Sequence, residues 1–259
     1  MTAVLKAEGL TRSFGHVMAL NGADFEVGLG EVVALIGDNG AGKSTLVKAL
    51  TGNLALDSGV IEFDGRPVTL DSPTTASRLG IEVVHQDLAL APHLNPAQNM
   101  FLGREIPAKG VLGWLGFMDN KEMRDRTRER LADLGGTVRS LSSPVGSMSG
   151  GQRQQIAIAR AIAWADKVVF LDEPTAALGV VQTKNVLDSI KRVRDRGIAV
   201  VLISHSMPEV LEIADRVQVM RLGRRVATYD GKETNVEQLV GAMTGALSLG
   251  EVSNGKEAA

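Results

Sequence analysis

Glu31-Val-Val-Ala-Leu-Ile36 is a short, almost continuous apolar run, and a glycine-rich turn follows it directly. Such a run is typical of a strand buried on both faces, as in the centre of a parallel sheet. Similar runs recur at residues 81–84, 167–171 and 198–203, and a helical pattern from Val181 to Arg194 separates the last two. Strands alternating with helices in this way predict an α/β protein.

The turn after the first strand reads Gly37-Asp-Asn-Gly-Ala-Gly-Lys-Ser-Thr45, and a helix-compatible segment follows it. It fits the phosphate-loop pattern Gly-x-x-x-x-Gly-Lys-Ser/Thr. Its glycines let backbone N–H groups converge on phosphate oxygens, and the helix adds its positive end. A chance glycine-rich turn is the competing interpretation, which the preceding strand and the following helix disfavour. The predicted nucleotide contacts in this loop are Gly37, Asp38, Asn39, Gly40, Ala41, Gly42, Lys43, Ser44 and Thr45.

Two residues of this loop carry specific chemistry. The ammonium group of Lys43 would neutralise the β and γ phosphates of a nucleotide. Ser44 offers a hydroxyl to Mg²⁺, a hard ion that keeps several waters and takes few protein ligands. The loop therefore predicts a site for a magnesium-bound nucleoside triphosphate.

A second apolar strand, Val168-Val-Phe-Leu-Asp-Glu173, ends in two adjacent carboxylates. The carboxyl end of such a strand lies at the ligand-binding edge of an α/β sheet. In phosphoryl transfer, Asp172 can hold the Mg²⁺ shell and Glu173 can orient or deprotonate the attacking water. Without the phosphate loop, such a pair would more often be a helix cap and a first-turn acid.

Composition excludes several classes of protein. The 259 residues are 44% hydrophobic and 22% charged, which rules out disordered and fibrous proteins. The formal net charge of -2 disfavours nucleic acid as a partner. With no cysteine, the chain has no disulfide, thiolate metal site or catalytic thiol. No leader is apparent, and no stretch approaches the roughly 20 apolar residues that span a bilayer. We therefore expect a cytoplasmic chain.

The N-terminal thirty residues differ from the rest of the chain. Turn signals at Gly15, Asn21-Gly22 and residues 28–30 separate short alternating segments. These signals predict antiparallel hairpins that form an accessory β layer before the main sheet.

A third region begins near residue 87 and ends near residue 165. Helical spacing is clearest from Lys121 to Leu134 and predicts an inserted helical subdomain. Within it, residues 107–116 form an apolar loop that is either packed or presented to a partner. The small and polar residues 245–259 are expected to form a tail, to which no function is assigned.

Ser149-Gly-Gly-Gln152 lies between the phosphate loop and the strand that ends in Asp172-Glu173. With this order of motifs, nearly the whole chain resembles ATP-binding subunits of ABC transporters, and its details resemble those of carbohydrate importers. The resemblance implies an α/β fold with a P-loop NTPase core, a mostly parallel sheet, the N-terminal antiparallel layer and the helical subdomain. The ATP-binding domain is then expected over residues 1–244.

The resemblance assigns further roles to single residues. Phe14 would stack on adenine, although it could instead pack within the β layer. Gln86 would reach Mg²⁺ or the attacking water, a role that rests on the resemblance alone. His205 would contact the γ phosphate, whereas a lone histidine beside a strand is more often structural.

The family also implies two ATP-binding subunits that meet head to tail. The signature residues of one subunit would then face the ATP held by the other subunit. A plain serine cap followed by a glycine turn is the competing interpretation. The residues concerned are Ser149, Gly150, Gly151 and Gln152.

The function implied is ATP hydrolysis that drives the uptake of a solute, by resemblance a sugar. The partners would be an identical second subunit, integral membrane permease subunits and, indirectly, a periplasmic or extracellular solute-binding protein. The chain would lie on the cytoplasmic side of the cell membrane. A regulatory or assembly ATPase acting on a soluble partner is the alternative. A small-molecule kinase would leave the signature residues unexplained.

Two departures and one surface complete the comparison with the family. Ala177-Leu178-Gly179 stands where the family commonly has Ala-Leu-Asp, which affects communication between subunits. Met148 replaces the usual leucine, an exchange of similar volume. Residues 87–104 resemble the surface that receives the membrane subunits, although their apolar side chains could form subdomain core instead. Those side chains are Leu88, Leu90, Leu94, Met100 and Phe101.

Overall fold

A computed structural model describes residues 3–85, 87–133, 140–176 and 178–246. The chain divides into two compact units. The first unit contains the residues up to Val83, Ala165–Glu173 and the residues from Val193 onward. The second unit contains Val84–Trp164 and Pro174–Arg192. In the described part of the chain, every helix is too short or too polar to cross a bilayer.

An antiparallel sheet opens the first unit and confirms the predicted accessory β layer. In the described residues its strand order is β2-β1-β4-β5, and every neighbouring pair is antiparallel. Strands β1 and β2 form one long hairpin that turns after Phe14. The strands are β1 Ala3–Phe14, β2 Val17–Gly28, β4 Ser58–Phe63 and β5 Arg66–Val68.

The turn predicted at Asn21-Gly22 is wrong, because β2 runs through both residues. Leu10 pairs with Ala23 and Thr11 pairs with Asn21, so Gly22 is an extra residue between two consecutive pairs. Gly22 has a φ of 74°. A bulge and a tight turn both call for a positive φ, which glycine adopts readily. The same dipeptide therefore serves either structure.

The main sheet has the order β10-β9-β3-β8-β7-β6 in the described residues. Strand β3 is parallel to β8 and β9, β7 is parallel to β8, and β9 pairs with β10 as an antiparallel edge. The predicted central strand and its three companions are thus confirmed. The strands are β3 Val32–Ile36, β6 Ile81–Val84, β7 Val168–Asp172, β8 Ala199–Ile203, β9 Arg216–Arg221 and β10 Arg224–Asp230.

Strand β3 is buried on both faces, as its apolar run predicts. Val33 and Leu35 join the core between the two sheets, where the ring centroids of Phe25 and Phe170 lie 6.4 Å apart. Ala34 and Ile36 point to the opposite face and join a second core, to which helices α8 and α9 also contribute. The helices of this unit are α1 Lys43–Leu50, α2 Pro73–Arg78, α8 Met207–Ile213 and α9 Val236–Thr244.

The second unit is mainly helical. Its long polar helix α5 buries Met123, Thr127 and Leu131, which recur every four residues and so share one face. The rings of Phe101 and Trp164 are nearly perpendicular, with their centroids 5.6 Å apart. The helices that begin in this unit are α3 Pro96–Met100, α4 Val111–Trp114, α5 Asn120–Asp133, α6 Gly150–Trp164 and α7 Val180–Asp195.

Candidate functional site

The glycine-rich turn between β3 and α1 has a backbone that only glycine fits. Gly37, Gly40 and Gly42 have φ values of 153°, 80° and 101°. A Cβ on Gly37 would overlap the carbonyl of Met220, and one on Gly42 would lie 2.5 Å from the carbonyl oxygen of Ala19. The turn is therefore held against both the hairpin β1–β2 and strand β9.

Helix α1 begins directly after this turn. Among the described residues, no side chain caps its N-terminus, and its first turn carries no acidic residue. The first N–H groups of a helix lack partners within the helix, and the helix dipole makes this end positive. An anion such as a phosphate group can bind here without competition from a capping side chain or a first-turn carboxylate.

The side chain of Lys43 reaches back to the beginning of the glycine-rich turn. Its Nζ donates to the carbonyl oxygens of Gly37 at 2.6 Å and Asp38 at 3.0 Å. Burial lowers the pKa of Lys43, while the nearby carboxylates of Glu173, Asp38 and Asp172 act in the opposite direction. The ammonium group thus lies in a mostly buried position within electrostatic reach of the carboxylates on β7.

The end of β7 presents Asp172 and Glu173 beside the end of β8. The Glu173 N–H donates to the carbonyl oxygen of Ile203 at 2.9 Å. Glu173 has a φ of 50°, a left-handed conformation that is costly for a residue with a side chain. Such strain persists where the surrounding structure enforces it, and often at functional sites.

The Glu173 side chain is shielded from water and poorly paired. Its Oε1 makes no hydrogen bond with any described residue. The Nε2 atom of His205, whose side chain is 51% exposed, lies 3.5 Å from this oxygen. Burial raises the pKa of Glu173, opposed by His205 and Lys43 and assisted by Asp172. A carboxylate with these properties is a stronger proton acceptor than an ordinary glutamate.

Phe14 lies at the end of the β1–β2 hairpin, where it pairs with Val17. The ring is 49% exposed, so it is not packed within the β layer. The same hairpin contributes Ala19, whose carbonyl faces Gly42 of the glycine-rich turn. Phe14 is therefore an accessible ring beside the predicted phosphate site, and its contact with adenine stays a prediction.

The signature residues belong to the second unit, whereas the site residues described above belong to the first unit. Ser149 Oγ accepts from the Gln152 N–H at 3.3 Å, and Gln152 Oε1 accepts from the Ser149 N–H at 3.2 Å. This reciprocal pair is a capping box at the start of α6. Ser149 and Gly150 are exposed, so the cap leaves this end of the helix accessible.

The Ala-Leu-Gly departure also lies in the second unit. A Cβ on Gly179 would meet the Oε1 atom of Gln182 at 2.8 Å, and a Cβ on Gly151 would meet its Cγ atom at 2.9 Å. Gln182 therefore lies against both the signature turn and the segment that follows Leu178. Gln86 and Ala177, which the sequence analysis singled out, lie outside the described residues.

Two polar residues that sequence analysis missed hold the segment 87–95. The fully buried Asn99 donates to the carbonyls of Ala91, Leu94 and Asn95, and accepts from the Ala91 N–H. Arg160 donates to the carbonyls of Leu88 and Ala89, whose φ values are 60° and 44°. Arg160 lies more than seventy positions away. No local pattern could reveal that pairing.

The apolar residues of 87–104 are divided by the structure. Met100 and Phe101 are 2% and 5% exposed and belong to the core of the second unit. Leu88, Leu90 and Leu94 are half-buried. The first two residues are therefore structural, and the three leucines line the segment that Asn99 and Arg160 fix.

The apolar loop 107–116 is exposed rather than packed in the described chain. A bridge between Pro107 and Met118 closes it, and α4 forms its tip. Trp114 is 85% exposed. Its apolar companions are also exposed: Val111, Leu112, Leu115, Phe117 and Met118.

The chain offers a suitable donor set for Mg²⁺, although no group of three or more acidic, histidine or cysteine residues in the described part could hold a metal unaided. Mg²⁺ bound to a nucleotide needs only one or two protein ligands beside phosphates and waters. Ser44 is exposed at the start of α1, which follows strand β3 of the main sheet. Asp172 ends strand β7 of that sheet. These oxygen donors fit the ion.

The glycine-rich turn, Lys43, Asp172, Glu173 and His205 lie close together in the first unit. Comparison with known proteins shows the family to which the chain belongs. Residues 20–176 match the family described as ABC transporter. The chain is 48% identical over 245 residues to the fructose import ATP-binding protein FrcA of Rhizobium meliloti, covering 94% of each chain. It is 40% identical to the xylose/arabinose import ATP-binding protein XylG of Sulfolobus acidocaldarius, covering 99% of this chain and 100% of that protein.

A third relative is longer. The ribose import ATP-binding protein RbsA of Bacillus licheniformis is 40% identical over 241 residues, which are 93% of this chain and 48% of that protein. Among solved structures, a nucleotide-free ATP-binding cassette from an ABC transporter superposes with a TM-score of 0.78 at 26% identity. It covers 92% of this chain and 95% of that chain. The predicted fold is confirmed.

The chain belongs to the ABC transporter family, as an ATP-binding cassette. It binds and hydrolyses ATP, and the hydrolysis is coupled to transport.

Proposed function

We propose that the chain is the ATP-hydrolysing subunit of a sugar importer, and that two identical copies act as a head-to-tail dimer on separate membrane permease subunits. One observation carries the catalytic part: Lys43, Asp172, Glu173 and His205 lie at one edge of the main sheet beside the glycine-rich turn. The import of fructose, xylose or arabinose, and ribose by relatives supports a sugar as the cargo.

Binding of ATP depends on the turn and on α1. The backbone N–H groups of residues 37–45 surround the phosphates, and Lys43 exchanges its bonds to Gly37 and Asp38 for bonds to the β and γ phosphates. Ser44 and Asp172 would hold Mg²⁺, which when bound would neutralise charge on the phosphates. Phe14 stacks on adenine from the end of the hairpin.

Hydrolysis depends on the carboxylate of Glu173. Its buried Oε1, which makes no hydrogen bond with any described residue, accepts a proton from the attacking water, because its raised pKa makes it a better base. His205 contacts the γ phosphate and faces Glu173 from 3.5 Å. Gln86 contacts the ion or the water. Each of these groups acts by position and charge, as phosphoryl transfer requires.

The signature residues act in the opposite subunit. The N-terminus of α6 is accessible and carries a positive dipole end, which suits the γ phosphate held by the partner copy. Ser149, Gly150, Gly151 and Gln152 form this second clamp. Gln182 lies in the space beside Gly179. Because Gly179 stands where the family commonly has aspartate, we expect communication between the copies to differ from that of the family.

The location and partners follow from the proposed role. The chain would lie on the cytoplasmic side of the cell membrane, bound to its permease subunits. A periplasmic or extracellular solute-binding protein would deliver the sugar to those subunits. The ATP-binding domain would extend over residues 1–244, with a helical subdomain at about 87–165 and a tail at 245–259.

Glu173→Gln tests the catalytic proposal. This variant should bind MgATP without hydrolysing it and should form a dimer only with the nucleotide, which light scattering measures. Lys43→Ala is the matched control and should stay monomeric with MgATP, because it loses the phosphate contact. Normal ATP turnover by Glu173→Gln would exclude Glu173 as the base.

Cargo and partners need a separate experiment. A host in which this gene is deleted should lose uptake of one labelled sugar among fructose, xylose, arabinose and ribose. The tagged chain should purify from membranes together with permease subunits. Unchanged uptake of all four sugars would contradict the proposed cargo class, while the ATPase assignment would stand.

A further inference from the structure

Arg12 lies over the ring of Phe14. The two residues are separated by one position on β1, and the guanidinium carbon of Arg12 lies 5.1 Å from the ring centroid. Side chains two residues apart on a strand point to the same face, so this contact follows from the strand itself. A cation at this distance from an aromatic face is attracted by the negative charge on that face.

Asp57 fixes the guanidinium in place. Arg12 donates from Nη1 to Asp57 Oδ1 at 2.9 Å, while the Ser13 N–H donates to Asp57 Oδ2 at 2.7 Å. The Asp57 N–H in turn donates to the carbonyl oxygen of Thr11 at 2.9 Å. Asp57 is therefore bound to three consecutive residues of β1, through its carboxylate to Arg12 and Ser13 and through its backbone N–H to Thr11. The carboxylate holds the guanidinium at the ring.

The Nε donor of Arg12 is left unused. Its Nε atom is shielded from water and has no hydrogen-bond partner among the described residues. A shielded N–H without a partner is costly, so the hydrogen bonds alone do not account for this position. The contact with the Phe14 ring supplies the second attraction.

Phe14 keeps its other side accessible. The ring is 49% exposed although Arg12 covers one face. The hairpin that carries the ring also touches the glycine-rich turn, because Ala19 faces Gly42. A base attached to phosphates in that turn can therefore meet the uncovered face.

We propose that Arg12 is a positioning residue for the base of the nucleotide: it holds one face of Phe14 and so presents the opposite face to adenine. This inference rests on the proposed stacking of Phe14. A fixed ring loses less freedom when the base binds. A cation behind the ring also draws electron density from it, which favours stacking on an electron-rich purine.

Binding of ADP and of pyrophosphate, both with Mg²⁺, tests this role by calorimetry. Arg12→Met should weaken ADP binding about two- to fivefold, the size of an exposed cation–π contact, and should leave pyrophosphate binding unchanged. Arg12→Lys should keep most of the ADP affinity, because it retains a cation. Arg66→Met, which removes an exposed arginine from another strand of the same sheet, should change neither affinity.

A double mutant completes the test. In a Phe14→Ala background, Arg12→Met should have no further effect on ADP, because the ring through which it acts is gone. Unfolding temperatures of all variants show that each protein is folded.

Several results would overturn the proposal. Equal weakening of ADP and pyrophosphate would indicate a general effect of charge, and further weakening in Phe14→Ala would indicate direct contact with the nucleotide. Unchanged ADP binding by Arg12→Met alone would refute Arg12 but leave Phe14 in its role. Unchanged ADP binding by Phe14→Ala would refute both, and the tests of Lys43 and Glu173 would still stand.

Discussion

At the scale of single residues, Glu173 combines features that oppose stability. Its backbone is left-handed, one carboxylate oxygen is buried without a hydrogen bond, and burial raises its pKa. Each feature costs free energy in the folded protein. These costs are consistent with the catalytic role proposed for Glu173.

The raised pKa makes the stability effect of Glu173 dependent on pH. Its contribution is fully present below the unfolded pKa and is lost as pH rises through the higher folded pKa. Glu173→Gln removes the ionised form, so at neutral pH the variant should unfold at a higher temperature than the parent. The difference should shrink as the solution is acidified. Thermal unfolding without nucleotide, followed by circular dichroism, measures both curves.

Glu129→Gln is the matched control, because Glu129 is exposed on α5. Its unfolding temperature should follow that of the parent at each pH. A Glu173→Gln variant that is less stable than the parent at neutral pH would show that the ionised carboxylate stabilises the fold instead.

At the scale of elements, the glycine-rich turn depends on its contact with the β1–β2 hairpin. Gly40 and Gly42 are both left-handed, but only Gly42 lacks room for a side chain. Gly40→Ala should cost about 1 kcal/mol of unfolding free energy, from backbone strain. Gly42→Ala should cost at least about 2 kcal/mol, because strain and the clash with Ala19 add. Urea denaturation compares the two, and equal costs would contradict the close contact.

A second element, the segment 87–95, depends on Asn99. Asn99→Ala leaves several buried backbone groups unpaired and should cost about 2–4 kcal/mol of unfolding free energy. Asn95→Ala on the same helix loses only a capping box and should cost about 1 kcal/mol. Urea denaturation of the two variants measures the difference. A smaller loss for Asn99→Ala than for Asn95→Ala would mean that solvent replaces its hydrogen bonds.

Local signals predicted most of the main sheet, and distant pairings explain what was missed. The run at Val32–Ile36 is apolar throughout because both of its faces are covered, and this requirement is visible in five residues. The pairing of Arg12 with Asp57 joins positions 45 apart. Gly22 was assigned to a turn because turns and bulges favour the same residue. A local sequence pattern indicates the burial and backbone conformation of a residue, but it does not identify a partner that is distant in sequence.

The candidate site divides in the same way. Lys43, Asp172 and Glu173 belong to contiguous motifs, so sequence alone singled them out as candidates. The contact of Asp57 with β1 and the position of Gln182 against two glycines depend on the fold. The roles of these three motif residues, of Gln86 and His205, and of the signature residues stay predictions.

At the scale of the whole molecule, the two tryptophans of the chain have different environments: one is packed against other side chains and the other is exposed on the surface. Trp164 donates to the Met100 carbonyl at 3.0 Å and packs on Phe101 and Arg104, whereas Trp114 is 85% exposed. Trp164→Ala should lower the free energy of unfolding by about 2–3 kcal/mol. Trp114→Ala should change it by less than about 0.5 kcal/mol.

Fluorescence checks the same difference without unfolding. The emission that remains in Trp164→Phe comes from Trp114 and should be quenched by acrylamide readily. The emission that remains in Trp114→Phe should be quenched less. Strong protection of Trp114 would show that the apolar loop 107–116 is covered in solution.

Under selection for folding alone, the residue after Asp172 would change. Its left-handed backbone favours glycine or asparagine, and neither carries a buried charge. A library randomised at position 173 and sorted only for soluble expression should therefore become richer in these two residues than in glutamate. Sorting the same library for ATP turnover should restore glutamate. If selection for transport were relaxed, we would therefore expect glutamate to be lost at position 173, and the resulting protein to be more stable than its ancestor.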